Sequence, residues 1–366
     1  MRYLFIVQGE GRGHLTQAMT LEKMLLRHGH EVVEILVGKS DLRAIPEFFE
    51  KSIESPVKYF SSFNFMPSLK NKRPNVFLTV CYNINHIALF YPSVKFIKTE
   101  INRLRPDVVI NFYELLGAAG FRLSGAKAKE VCIGHQYLLY HKDFHLPIVG
   151  YEGHIALDLF SKMTSKTASK CLALSFRKME DDPQHKLKVV PPLLRPEVLS
   201  MCKSDGTSSI EEGDYILGYM LNAGFAQDVM RWHYNHPDVS LRFFWDKAEE
   251  GPLKKFDDTL SFYYLNDSEF LKQMAGCGAY ASTAGFESIC EAMYMGKPLM
   301  MVPSHIEQEC NAFDATRYGA AIAAKDFDLS ILLDFSKNGF KPDPAFPDWA
   351  RSAEKIFLRE LENPDL

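Results

Sequence analysis

The sequence predicts an α/β protein with parallel sheets, divided into two domains that meet near residue 200. Three observations carry this. Apolar, β-branched runs of strand length alternate with helix-period segments along the whole chain. The 366 residues exceed what one core comfortably holds. Between residues 188 and 213, Val-Val-Pro-Pro-Leu-Leu-Arg-Pro gives way to Lys-Ser-Asp-Gly-Thr-Ser-Ser, proline restriction followed by a flexible polar patch, which suits a linker.

In the first half, Tyr3–Gln8, Val32–Val37, Asp107–Asn111, Glu130–Gly134 and Cys171–Ser175 read as strands. Between the first two, Thr16 to Arg27 places Ala18, Leu21, Met24 and Leu25 on one helical face, and Gly29 supplies the stop. In the second half the strands are Asp214–Leu221, Ser240–Trp245, Leu260–Leu265, Gly278–Thr283 and Pro298–Pro303, with helices over 225–235, 267–275 and 286–295. The tail, Pro347 to Glu362, is helical, with Trp349, Ala353, Ile356, Phe357 and Leu361 on one side. It needs an apolar surface to rest on.

Composition bounds the function. Hydrophobic content of 46% and charged content of 24% are ordinary globular values, and a net charge of −4 argues against a nucleic-acid binder. The cysteines at 81, 132, 171, 202, 277, 290 and 310 include no C-x-x-C pair, which fits reduced thiols in a cytoplasm. The apolar start Tyr3–Val7 stops at Gln8 without the flanks of a secretion signal, and no apolar run approaches the ~18–20 residues of a membrane span. A soluble chain, at most resting on a membrane surface, is expected.

Two loops carry chemistry. From Ser282, the sequence Ser-Thr-Ala-Gly-Phe-Glu-Ser-Ile-Cys-Glu-Ala runs from a strand through a small-residue turn into a helix. Small residues at that junction let backbone N–H groups approach an anion at the positive end of the helix dipole. Glu291 lies further along the helix, and Glu307, Gln308 and Asn311 follow the next strand. A phosphate seat, a carboxylate and a second polar pair are what a nucleotide-sugar needs. The other loop, Gly9-Glu10-Gly11-Arg12-Gly13-His14, opens from the first strand into a helix. It is not a dinucleotide fingerprint, because the third glycine of G-x-G-x-x-G falls at His14. An imidazole at a helix start has its charged form disfavoured, so His14 is a candidate proton acceptor. Glu114, beyond the strand Asp107–Asn111, is placed to orient it at the same sheet edge; Glu10 is the local rival, and Asp107 lies at the wrong end.

These residues are where the chain resembles a known family. Gly-x-Gly-x-Gly-His in the first half, with Gly-Phe-x-Ser-x-x-Glu-Ala and Pro-x-x-x-acid-Gln-x-x-Asn in the second, is similar to the inverting GT-B glycosyltransferases. The types it resembles most are plant and bacterial UDP-sugar glycosyltransferases and the N-acetylglucosaminyltransferase that makes lipid II. The resemblance implies two Rossmann-like domains facing across a cleft: 1–200 binding the acceptor, 201–345 binding the donor, and 346–366 a helix packing back toward the first. It implies His14 as catalytic base in the loop of Gly11 and Gly13, oriented by Glu114. Thr283, Gly285 and Ser288 would hold the donor diphosphate, Glu291 the ribose hydroxyls, and Glu307 with Gln308 the donor sugar. Leu265 and Asn266 would take the base, and Asn222 with Gly224 would close on the phosphates. The chain departs from plant-type members at Thr283, where they often carry His, at Ala284 in place of a glycine, at Glu287, and in lacking a tryptophan-containing base-stacking motif.

The implied function is metal-independent, inverting transfer of a sugar from a UDP- or dTDP-sugar to the hydroxyl of a sugar, a lipid-linked or a small-molecule acceptor, with no cofactor. The alternatives are a nucleotide-sugar 2-epimerase or hydrolase on the same fold, or a non-catalytic nucleotide-sugar-binding protein. His135, His141, Asp143 and His145 match no standard zinc spacing and suit the lining of an acceptor site better. Phe60, Phe63, Phe65 and Met66 precede Lys70, Lys72 and Arg73, and Ile87, Leu89, Phe90 and Tyr91 precede Lys95, Lys98, Arg103 and Arg105. Aromatic residues beside bases could dock peripherally at the inner face of a membrane.

Overall fold

The computed structural model describes residues 1–40, 45–64, 79, 82, 83, 85–147, 151–202, 210–220, 222–317 and 319–364. Leu221 and the Phe65, Met66, Lys70, Lys72 and Arg73 of the proposed docking segment lie outside them.

The described chain falls into two compact units, one over Met1–Met66, Asn75–Leu193 and Trp349–Leu366, the other over Leu194–Asp348. The first is built on β1 (Arg2–Gln8), β2 (Glu31–Lys39), β3 (Val57–Ser61), β4 (Val108–Phe112), β5 (Lys129–Gly134), β6 (Lys170–Leu174) and β7 (Leu187–Val190). All pair in parallel, in the order β3-β2-β1-β4-β5-β6-β7. Parallel sheets are covered on both faces, so central strands carry apolar residues throughout. Every residue of β4 and β6 is buried. The sequence reading missed β3 and β7: Val-Lys-Tyr-Phe-Ser buries only Phe60 fully, and β7 has four residues just before two prolines.

The second unit repeats the plan with β8 (Ile216–Tyr219), β9 (Leu241–Trp245), β10 (Leu253–Lys255), β11 (Leu260–Tyr264), β12 (Ala279–Ser282), β13 (Leu299–Met301) and β14 (Ala321–Ala323). Their order is β10-β11-β9-β8-β12-β13-β14, parallel except for the antiparallel edge strand β10. Phe243, Phe262, Trp245 and Trp232 fill a core on one side of this sheet. Three-residue strands such as β10, which is wholly exposed, leave no apolar run to read.

Both sheets share the doubly wound arrangement in which the chain reverses its direction of travel across the sheet. The reversal falls between β1 and β4 in one and between β8 and β12 in the other. Diverging connections open a crevice at the carboxyl ends of such strand pairs, where α/β proteins bind ligands. The glycine loop with His14 follows β1, Glu114 follows β4, Asn222 follows β8, and Thr283 follows β12. Each candidate loop therefore flanks a reversal point.

The chain passes between units at Leu193–Leu194, a few residues before the join read near residue 200. Arg195 is the reason: its side chain is anchored inside the second unit, on Glu291. The tail is two helices, Phe346–Arg351 and Ala353–Glu362. Phe357 and Leu361 are fully buried in the first unit. There Lys170 Nζ meets Glu360 Oε2 at 2.9 Å, and Trp349 Nε1 donates to Ser175 O at 3.0 Å. Among the described residues no helix is long and apolar enough to cross a membrane.

Candidate functional site

At the first reversal point, Gly11 is the N-cap of the helix Arg12–Arg27, so Gly13 and His14 lie in its first turn. A side chain at Gly9 would strike Gly38 O at 2.4 Å, so glycine there is a packing necessity. At Gly11 a side chain would meet nothing within 4 Å, which leaves space beside the helix start. His14 is only 9% exposed. Its Nδ1 lies 3.2 Å from Gln17 Oε1, which assigns the proton to Nδ1, and its Nε2 faces the Gln136 side-chain nitrogen at 3.5 Å. Burial pushes the imidazole pKa down to about 4, against the opposing pull of Gln17. His14 is thus neutral, with its lone pair on Nε2.

The imidazole stacks on Tyr113, centroids 5.7 Å apart and planes at 27°. Tyr113 adopts φ 59°, a left-handed backbone rarely taken by an aromatic residue, and its hydroxyl lies 2.5 Å from Ser161 Oγ. That conformation turns the ring onto His14. Neither it nor Gln136 has a signature in the sequence; Gln17, one turn along the helix, could have been found by spacing.

Glu114 does not orient His14. It caps the helix Leu115–Ser124, accepting from Leu116 N at 3.0 Å and from Ser62 Oγ at 2.9 and 3.0 Å. A side chain at Gly38 would meet Glu114 Oε2 at 2.5 Å, so Gly38 makes the room it occupies. Burial raises the Glu114 carboxyl to about 7, with the Leu116 and Ser62 hydrogen bonds opposing. The expected pairing fails because a short acidic side chain ahead of a helix finds unsatisfied N–H groups nearer than an imidazole on another loop. Glu10, the rival, is half-buried in the turn, and the imidazole's hydrogen bonds go to Gln17 and Gln136 instead.

At the second reversal point, Thr283 and Ala284 are buried and Gly285 is the N-cap of the helix Phe286–Tyr294. The left-handed residue of this turn is Ala284, at φ 61°, while Gly285 has an ordinary φ of −70°. Ala284 therefore occupies the strained position. Ser282 Oγ accepts from Ala284 N at 3.2 Å and Asn311 Nδ2 donates to Ala284 O at 3.0 Å, which together hold the turn. Ser288 Oγ donates back to Gly285 O at 3.2 Å.

Glu291 is 2% exposed and already paired: Arg195 Nε donates to Oε1 at 2.7 Å and Nη2 to Oε2 at 2.8 Å. Sequence reasoning placed Arg195 in the linker and missed it; a lone arginine between Leu194 and Pro196 gives no periodic signal. Gln308 Oε1 accepts from Ser304 N at 2.8 Å and Ser304 Oγ at 2.7 Å. A backbone N–H must face an oxygen, so this fixes the amide and turns its NH₂ away from Ser304. Glu307 is half-buried in the first turn of the helix Ile306–Thr316. Asn266 Oδ1 caps the helix Asp267–Gly276 through Glu269 N at 3.1 Å, while Leu265 N donates to Trp245 O at 3.2 Å. Asn222 heads the short turn Ala223–Phe225 that contains Gly224, and its carbonyl accepts from Phe225 N at 3.3 Å. All these residues belong to the second unit and gather around β8, β11, β12 and β13.

His135 and His141 make hydrogen bonds to the carbonyls of Leu174 (2.6 Å) and Glu180 (2.7 Å), which accounts for their burial. Among the described residues no cluster of histidine, cysteine and acidic side chains could hold a metal ion.

A family model described as glycosyl transferase family 1 matches residues 1–338. Among solved structures, Arabidopsis thaliana UGT89C1 complexed with quercetin is similar at TM-score 0.63 and 13% identity, over 100% of this chain and 99% of that one. The same protein complexed with UDP-L-rhamnose matches at TM-score 0.58 and 12% identity, over 99% and 95%. The glycosyltransferase VinC in complex with dTDP matches at TM-score 0.56 and 16% identity, over 100% and 99%. No curated protein matches the chain in sequence. At these identities the likeness establishes the fold, GT-B, in which both units are layered α/β sheets.

Proposed function

The chain belongs to glycosyl transferase family 1, and from that premise we propose that it is an inverting, metal-independent enzyme moving a sugar from a UDP- or dTDP-sugar to an acceptor hydroxyl. The observation that carries this is the state of His14: buried, neutral, and protonated on Nδ1, so that Nε2 is the basic nitrogen. In the proposed step the acceptor O–H gives its proton to His14 Nε2 while its oxygen bonds to the anomeric carbon. The bond from that carbon to the diphosphate oxygen breaks, and its electron pair leaves with the nucleoside diphosphate. Attack from the face opposite the leaving group inverts the anomeric centre. A positioned base of this kind contributes roughly 10²–10⁴-fold.

The donor belongs to the second unit in this reading. The N–H groups of the helix start at Gly285, with Thr283 and Ser288, suit the diphosphate and its developing charge. Glu291 would take the ribose, Leu265 and Asn266 the base, Asn222 and Gly224 the phosphates, and Glu307 with the NH₂ of Gln308 the sugar. Uridine and deoxythymidine donors are favoured by the ligands named for similar structures, UDP-L-rhamnose and dTDP, and a small-molecule acceptor by quercetin. A cytoplasmic place agrees with the free thiols of the described cysteines. Exposed Leu89 and Tyr91 near Lys95 and Lys98 support peripheral membrane contact.

Replacing His14 by alanine tests the reading. Transfer should fall by about 10²-fold or more, while the affinity for UDP measured by calorimetry stays the same. An active His14→Ala enzyme would remove the imidazole from the chemistry.

A further inference from the structure

We propose that Arg195 is a positioning residue for the donor nucleoside, holding Glu291 so that the site takes ribonucleotides in preference to 2′-deoxyribonucleotides, which selects the UDP-sugar over the dTDP-sugar among the donors proposed above. The inference rests on the reading of Glu291 as the ribose ligand and adds to it what makes that carboxylate fit for the task.

Glu291 is 2% exposed, and a charge so far from water needs an opposite charge beside it. Arg195, itself 8% exposed, supplies that cation in fork geometry, one nitrogen to each oxygen at 2.7 and 2.8 Å. Two parallel bonds fix the plane of the carboxylate as well as its charge. Each oxygen keeps lone-pair capacity for a hydroxyl donor. The third nitrogen, Nη1, lies 3.7 Å from Asp267 Oδ2. Asp267 is the first residue of the helix that follows Leu265 and Asn266. One guanidinium therefore ties the ribose carboxylate to the end of the loop proposed for the base. An acceptor held in a fixed plane rewards a ribose hydroxyl and is left short of a partner by a deoxyribose, the asymmetry that makes hydrogen-bonding sites selective. Lysine could supply the charge at 195, but as a single point that leaves the carboxylate free to turn.

The test is calorimetric titration of the full chain with matched pairs, UDP against 2′-deoxy-UDP and GDP against 2′-deoxy-GDP. Wild type should bind the ribonucleotide of its preferred pair at least about tenfold more tightly. In Arg195→Lys that ratio should collapse to within about threefold, through loss of ribonucleotide affinity alone, with the melting temperature recorded alongside. If Arg195→Lys does not fold, the double variant Arg195→Gln/Glu291→Gln, which buries no charge, should show the same collapsed ratio. A ratio preserved in Arg195→Lys, or an equal loss for both sugars in it, overturns the role of Arg195 and leaves Glu291 as ribose ligand; a ratio preserved in the double variant, which lacks Glu291, defeats the ribose reading. A wild-type ratio near one, or no nucleotide binding at all, defeats the ribose reading itself.

Discussion

His14 donates a hydrogen bond from Nδ1–H to Gln17 Oε1, 3.2 Å away and three residues along the same helix, and so keeps Nε2 as the basic nitrogen. Donation to a neighbour on the same helical face is a local device, and the Gln136 side-chain nitrogen, 3.5 Å from Nε2, favours the same tautomer from outside the helix.

The first prediction concerns pH. With the buried imidazole held down at about 4, kcat/KM for transfer should stay level as pH falls from 8 to about 5 and halve only near 4. An acid limb centred on 6.5 would identify an exposed histidine as the base. Circular dichroism at each pH separates loss of rate from loss of fold. The stability linked to His14 has the matching sign: present above 6.5 and lost as pH falls through about 4.

Glu114 should behave in the opposite sense. Its folded pKa of about 7 lies above the ordinary carboxyl value, so its contribution is complete below 4.5 and lost as pH rises through 7. Glu114→Gln abolishes the titration, and the variant should overtake wild type in denaturant stability between pH 5 and 8, by on the order of 3 kcal/mol. Because the carboxyl caps the helix Leu115–Ser124, transfer rates in the variant should stay within about threefold of wild type. A loss of about 100-fold or more, the scale of a catalytic base, would mean that the carboxylate does act on His14.

Ala284→Gly should stabilise the protein. Alanine at φ 61° carries a steric cost of about 1–2 kcal/mol that glycine lacks, partly offset by glycine's greater freedom in the unfolded chain. A net gain of about 0.5 kcal/mol in chemical denaturation is expected, with UDP affinity unchanged. Ala284→Val, branched at Cβ, should lose stability; if both variants match wild type, the turn carries no strain.

Ser304→Ala addresses the sugar contact. Without the hydroxyl, Gln308 Oε1 keeps only the Ser304 backbone N–H, and its NH₂ is less firmly aimed. KM for the nucleotide-sugar should rise about fivefold to tenfold, the scale of one lost hydrogen bond, while the Kd for free UDP stays constant. A parallel rise in the UDP Kd would show that Ser304 supports the whole turn and not the amide.

Much of this protein was legible before folding. Periodicity and punctuation reveal the long buried strands, the helices after the glycine turns and the repeated α/β plan, because both depend only on neighbours along the chain. The same signals place His14 and Thr283 at strand-to-helix junctions and Glu291 further along a helix. Short or exposed strands, β3, β7, β10 and β14, escaped because their stability comes from pairing with a finished sheet.

Partnership was decided by tertiary structure alone. Glu114 seemed free to orient an imidazole and instead satisfies a helix end and Ser62; Arg195 seemed to be linker and instead holds Glu291. Sequence spacing says which loops reach a sheet edge, since strand direction and the side-chain period are local properties. It cannot say which of several charged or polar groups at that edge will meet, because that choice is made by burial: each group removed from water must find the nearest partner the packed core leaves it.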